Sequence, residues 1–363
     1  MALYVTFTQN DGNVRAGLLF NEQQRSDFNL NVDKHLADIL DLDPKYIRSV
    51  KDYYFYSELC QITDENLWTF LEMFTTRLFH QSLYNTVKCY VHNVDTQKYP
   101  ISIDKFNFNG PCHFTKVFTG YDVNLGPGFC DDLLYLFRFP SHFPDFDYKS
   151  VDYQMKNIYV DTHINFAVTG WPNQWFDLNV CDEYYFEKYG FCDFQIYGNQ
   201  TQVVYKDVYS QATVEPSNYY EIDQKVYYGA YSYIKGDEDC LYLSVYRPCN
   251  RKPHEKLPVI VYFGFGAFAT DYTSPDNLSP DYFMDTERVI VVVVQSRLGV
   301  FGYLSSGDTH CSGNFGLKDQ RLALQWVNSN IGAFQGDCDC VTLMGAGSGA
   351  TSAVYHWLNH DTS

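Results

Sequence analysis

Val341-Thr-Leu-Met-Gly345, Ala346-Gly-Ser-Gly-Ala350 and Thr351-Ser-Ala-Val-Tyr-His-Trp-Leu358 follow one another without a break near the end of the sequence. The first run is short, β-branched and apolar, and reads as a buried strand. The second is so rich in small residues that its backbone must turn tightly, and the third reads as a helix. A strand, a tight small-residue turn and a helix form the context in which an open α/β sheet presents a catalytic side chain at the end of a strand.

Working back from this turn, the same alternation persists to about Gly236. Leu257-Pro-Val-Ile-Val-Tyr-Phe263 and Arg288 to Gln295 read as buried strands. Between Asn314 and Gly336, Leu322, Leu324, Trp326, Val327 and Ile331 recur at helical spacing behind a polar start of Lys318, Asp319, Gln320 and Arg321. Short strands alternating with helices predict a mostly parallel central sheet covered by helices, an α/β fold.

Several strings then resemble a known family. Glu238-Asp-Cys-Leu-Tyr-Leu-Ser-Val-Tyr246 is similar to EDCLYLNVY, and Arg297-Leu-Gly-Val-Phe-Gly-Tyr-Leu-Ser305 to RLGVFGFLS. Gly313-Asn-Phe-Gly-Leu-Lys-Asp-Gln320 is similar to GNYGLxDQ, and Asn330 to Asp337 followed by Val341 to Gly345 to NIxxFGGD…VTLFG. Together they resemble the carboxylesterase and cholinesterase family, which implies an α/β-hydrolase fold. Fold alone does not carry function, so each site position matters.

Where the family writes E-S-A-G-G after this strand, the chain has Ala346 to Ala350, which puts Gly347 in the nucleophile slot. Loss of a triad serine costs about a millionfold in turnover. A one-residue slip would instead offer Ser348 as a displaced nucleophile. The family's oxyanion loop, HGGGF, corresponds to Gly264, Phe265, Gly266, Ala267 and Phe268, with glycine in the histidine slot and phenylalanine in place of the first glycine. Each lost oxyanion donor costs on the order of a hundred- to a thousandfold.

The first part of the chain resembles the family's later part. Gly126-Pro-Gly-Phe-Cys-Asp-Asp-Leu-Leu-Tyr-Leu-Phe137 is similar to GxxHGDELxYxF, with Phe129 in the histidine slot. His163-Ile-Asn-Phe-Ala-Val-Thr-Gly-Trp-Pro-Asn173 is similar to the late helix WxNFAxTGxPN, and Thr8-Gln-Asn-Asp-Gly12 to the acid turn, with Asp11 in the acid slot. His113 and His142 flank the altered region and are candidate substitutes for the missing histidine. The resemblance therefore implies a permuted segment order. Residues 1–195 correspond to the family's C-terminal half and 196–363 to its N-terminal half, and the family's middle is absent. Such a reordered chain forms one esterase-like domain or two halves completed by neighbouring copies.

Composition bounds the partners. The 363 residues carry a formal charge of −18, which disfavours nucleic acid and anionic membrane. The longest apolar run, Val289 to Val294, is too short to span a bilayer. The 32 Tyr and 28 Phe suit packing and partly polar protein interfaces. Eleven cysteines without CxxC pairs suggest disulfides rather than a metal site, with Cys240, Cys181 and Cys192 as candidates. Asn199 and Asn277 head glycosylation sequons, which fits an extracellular or secretory-lumen location, although the opening residues show no signal peptide.

The expectation is a catalytically inactive, non-catalytic esterase-like module. It would need no cofactor or metal and would act by binding, adhesion or structural self-association, including head-to-tail assembly, as its resemblance to neuroligin-type relatives implies. Two alternatives stand beside it: weak serine ester hydrolysis through Ser348, and sequestration of a hydrophobic ligand without turnover.

Overall fold

The computed structural model describes residues 2–55, 60–95, 98–172, 193–196, 240–249, 256–271, 273 and 277–359. The chain divides into two compact units, one of residues 1–132 with 176–230 and the other of residues 133–175 with 231–363.

In the first unit, β1 (Leu3–Thr8) runs parallel to β2 (Ile101–Phe106), and β3 (Asp193–Ile196) pairs antiparallel with β2. Helices α1 (Glu22–Leu30), α2 (Val32–Leu40), α3 (Ile47–Phe55), α4 (Leu67–Thr75) and α5 (Gln81–Asn93) fill the connection from β1 to β2. A parallel pair needs such a crossover. The Asn21 side chain accepts from the Gln24 amide and so caps α1. Phe28, Leu36, Leu40, Phe70, Leu71 and Phe74 form the fully buried core of this unit. The short helix α6 (Thr115–Thr119) follows β2 and ends at Gly120, whose φ of 75° is the left-handed cap that glycine supplies most readily.

The second unit contains α7 (Val151–Thr169), which Ser150 caps by accepting from the Tyr153 amide. Its sheet has the order β4-β6-β5-β7, built from β4 (Leu243–Tyr246), β5 (Leu257–Phe263), β6 (Ile290–Val294) and β7 (Gly336–Gly345). β5 is parallel to both β6 and β7, and β4 is antiparallel to β6. Val259 to Phe263 and Ile290 to Val294 are almost wholly buried, as strands covered on both faces must be. Helices α8 (Gly299–Tyr303), α9 (Phe315–Asn330) and α10 (Ser348–Leu358) follow the strands.

Segments distant in the sequence meet within this unit. Phe137 packs on Tyr262 and Phe283, and Arg138 binds Asp281 at 2.6 Å. From α7, Asp161 and Asn165 accept from the guanidinium of Arg288. The single, mostly parallel sheet expected from the sequence is replaced, among the described residues, by two separate sheets of three and four strands, each holding parallel and antiparallel pairs.

Candidate active site

In the second unit the strand–turn–helix opens the site. β7 ends at Gly345, and Gly347 takes φ 50° and ψ −116° immediately before α10. A side chain in that region of backbone space is strained, and glycine relieves the strain. A Cβ on Gly349 would collide with the carbonyl of Phe263, so the start of α10 lies directly against the end of β5. Ser348 is the first residue of α10 and is half-buried. The Gly349 amide donates to Ala346 and the Thr351 amide to Gly347, which closes the turn.

The loop after β5 lies beside this turn. Gly266, Ala267 and Phe268 all have positive φ, at 138°, 54° and 61°. Two consecutive non-glycine residues in that region are unusual, and such strain gathers at functional loops. A Cβ on Gly264 would collide with the Asp271 carboxylate and the Thr273 methyl, so the slot has no room for a larger residue. The Asp271 carboxylate accepts from the amide and hydroxyl of Thr273. Phe265 is buried. Arg297, at the head of the following loop, makes three bonds to Asp319, two from its guanidinium at 2.8 and 2.6 Å and one from its amide at 3.1 Å, which tie that loop to α9. His356 meets Gln320 at 3.0 Å, and burial pushes its ring down to about 4, a neutral histidine.

The first unit holds the other two sequence candidates side by side. Asp11 is buried and accepts from the Thr8 amide and hydroxyl. Burial raises its carboxyl to about 7 against the lowering effect of the Thr8 hydroxyl, with Asp132 adding to the rise. Asn10 pairs with Gly128, and the Phe129 amide donates to the Asn13 side chain at 3.1 Å. Phe129 packs between Phe79 and Phe118.

Asp131, inside the Gly126–Phe137 motif, organises this loop. It accepts from the Gly128 amide at 2.7 Å, the Phe114 amide at 2.6 Å and His113 Nδ1 at 3.2 Å. The second ring nitrogen of His113 is buried and has no hydrogen-bond partner among the described residues. His142, in the second unit, lies against the Ser141 hydroxyl, and burial lowers its pKa. His163, in α7, bonds the Tyr159 carbonyl and is pushed down to about 4 by burial.

The remaining candidates divide by where they fall. Asn199, Cys181 and Cys192 lie outside the described residues, so no bridge between either cysteine and Cys240 is described. Asn277 accepts from Ser141 through its side-chain oxygen. Cys60, Cys89, Cys130, Cys249, Cys311, Cys338 and Cys340 are free thiols. One group of potential metal ligands, Asp337, Cys338 and Asp339, has its ligand atoms within 4.8 Å of one another, at the start of β7. No helix among the described residues is long and apolar enough to cross a membrane.

Comparison with known proteins adds to this geometry. The sequence profile described as "Carboxylesterase family" matches residues 1–227 and, again, 200–363. Juvenile hormone esterase of Tribolium castaneum is 43% identical over 136 residues, which are 38% of this chain and 23% of that protein. Venom carboxylesterase-6 of Apis mellifera is 43% identical over 128 residues, 35% of this chain and 22% of the relative. Carboxylesterase 5A of Ovis aries is 46% identical over 115 residues, 32% of this chain and 30% of the relative. Each match thus spans less than a third of the relative's length. The expectation that the chain is not an enzyme is corrected by these relatives, which are named as esterases and carboxylesterases and point to an enzyme. That expectation weighed the residues in three slots against a family whose matching members carry out ester chemistry. An adhesion or structural role finds no support among them.

Proposed function

Because the chain belongs to the carboxylesterase family, we propose that its esterase-like function is the hydrolysis of a carboxylic ester at the turn between β7 and α10, with Ser348 as nucleophile. The observation that carries this reading is the torsion pair of Gly347, φ 50° and ψ −116°, which gives the turn the sharp strand-to-helix form of a nucleophile elbow. Gly347 has no side chain, so the hydroxyl available in the turn is that of its neighbour Ser348. The helix that begins at Ser348 directs its first amides and its dipole toward the same place, where an acyl oxyanion would develop. The end of β5 meets the start of α10 at Gly349, and the strained loop at Gly266, Ala267 and Phe268 that continues from it would form the second wall of that place.

In this reaction the Ser348 hydroxyl adds to the ester carbonyl, its proton passes to a base, and the alcohol leaves. Water then releases the acid from the acyl-serine. The sequons and the esterase relatives favour a secreted setting for this chemistry. Hydrolysis of a short-chain aryl acetate by the purified protein tests the reading. Wild-type turnover above the buffer rate that falls to that rate in Ser348→Ala supports it, whereas equal turnover in both proteins overturns it.

A further inference from the structure

Given ester hydrolysis at Ser348, on which this inference rests, we infer that Asp271 is the general base that takes the Ser348 proton, oriented for that task by Thr273. Gly264 lies between the carboxylate and the turn. A Cβ on Gly349, the residue after Ser348, would collide with the carbonyls of Phe263 and Gly264, and a Cβ on Gly264 would in turn collide with the Asp271 carboxylate. The carboxylate therefore fills the space of the absent Gly264 side chain, one residue's width from the start of α10. Thr273 is buried, and its amide and hydroxyl donate to the two oxygens of Asp271 at 2.9 and 2.5 Å. A carboxylate has about four lone-pair positions, so two donors fix its plane and leave it able to accept a further hydrogen. A base held by a third group is the arrangement that activates a serine.

Other ionisable groups of this unit are engaged elsewhere. Asp319 is bound to Arg297, and Asp145 and Asp281 to Arg138. His356 meets Gln320 and stands about 12 Å along α10 from Ser348, at 1.5 Å per residue. With Asp271 as base, the Ser348 oxygen bonds the ester carbonyl carbon, the carbonyl π pair moves onto its oxygen, and the hydroxyl proton passes to Asp271. The carboxylate becomes neutral as the oxyanion forms, so one negative charge moves across the site and no second one is added. The pair then re-forms the carbonyl, the bond to the alcohol oxygen breaks, and that oxygen leaves with the proton from Asp271. Water repeats the sequence on the acyl-serine: its proton goes to Asp271 and then to the Ser348 oxygen as the acid departs.

Turnover of the aryl acetate and the rate of fluorophosphonate labelling at Ser348 test the assignment. Asp271→Ala and Asp271→Asn should each lower both rates by roughly a hundred- to ten-thousandfold, with kcat changed more than KM. Formate, a carboxylate small enough for the space left by alanine, should restore turnover of Asp271→Ala in proportion to its concentration. Asp271→Asn, which keeps that space filled, should not respond. A purely structural loss gives no such rescue. Labelling of Ser348 as fast in Asp271→Asn as in wild type overturns the inference and leaves the ester reading standing. A loss in Asp271→Ala that formate does not reverse also overturns it, because the carboxylate then serves only the turn with Thr273. A wild-type protein without labelling at Ser348 overturns the ester reading and the inference together.

Discussion

The turn from Gly345 to Ala350 and the loop from Gly126 to Asp132 keep their shapes by different means. The turn is built from backbone: a glycine at φ 50° and ψ −116°, and another pressed against the Phe263 carbonyl. The loop is built around one buried side chain, Asp131, which gathers two amides and the His113 ring. A turn made of backbone keeps its form whatever side chain stands at its apex, whereas a loop gathered on a carboxylate depends on that carboxylate. The slot residues Gly347 and Phe129 therefore speak differently about function. At Gly347 the geometry persists with the hydroxyl one position on. At Phe129 the position is filled by aromatic packing, and the ionisable groups lie around it at His113, Asp131 and Asp11.

The largest expected effect falls on the loop. Asp131→Ala removes three bonds to a buried carboxylate and should cost on the order of 5 kcal/mol, read as a lowered urea midpoint. A loss under about 1 kcal/mol, within the range of an ordinary surface substitution, would mean the loop does not depend on Asp131.

Next in size is a pH dependence from Asp11. Its folded carboxyl is raised to about 7 from an ordinary 3.8, so between these values the folded state holds a proton that the unfolded chain has released. Stability from this group is fully present below about pH 4, falls as pH rises through 7 and is flat above. The change is on the order of 4 kcal/mol. Asp11→Asn should flatten that slope and be more stable than wild type at pH 8, as followed by denaturant unfolding across pH. An unchanged slope would show that Asp11 is not buried as described.

Gly347→Ala should cost about 2 kcal/mol, because alanine must enter the same backbone region. Gly332→Ala is the control: its φ is not positive and a Cβ there meets nothing within 4 Å. It should be neutral or stabilising by about 0.5 kcal/mol. Equal melting temperatures for the two variants would remove the argument that the elbow is strained.

Much of the second unit was legible because buried parallel strands are continuous apolar runs. Leu257–Phe263 is read to the residue, and Arg288 to Gln295 brackets β6. β7 begins at Gly336, before the Val341 start that hydrophobicity suggested, because Asp337 and Asp339 sit on an edge strand where polar residues cost little. The late helix also starts earlier than its motif, at Val151, where Ser150 caps it. Helices α1 to α5 were not foreseen. The family-like motifs lie outside that stretch, and α1 carries a single buried residue, Phe28, so its pattern shows almost no core face. The role of Asp131 was illegible for a different reason: its three donors come from positions 113, 114 and 128, and only the fold brings them to one carboxylate.

The most direct test of the central claim is the site of covalent labelling by a fluorophosphonate, read by intact mass and peptide mapping. The account predicts a single adduct on Ser348 that is absent from Ser348→Ala. An unlabelled wild-type protein, or an adduct on a residue outside the turn from Gly345 to Ala350, would contradict it.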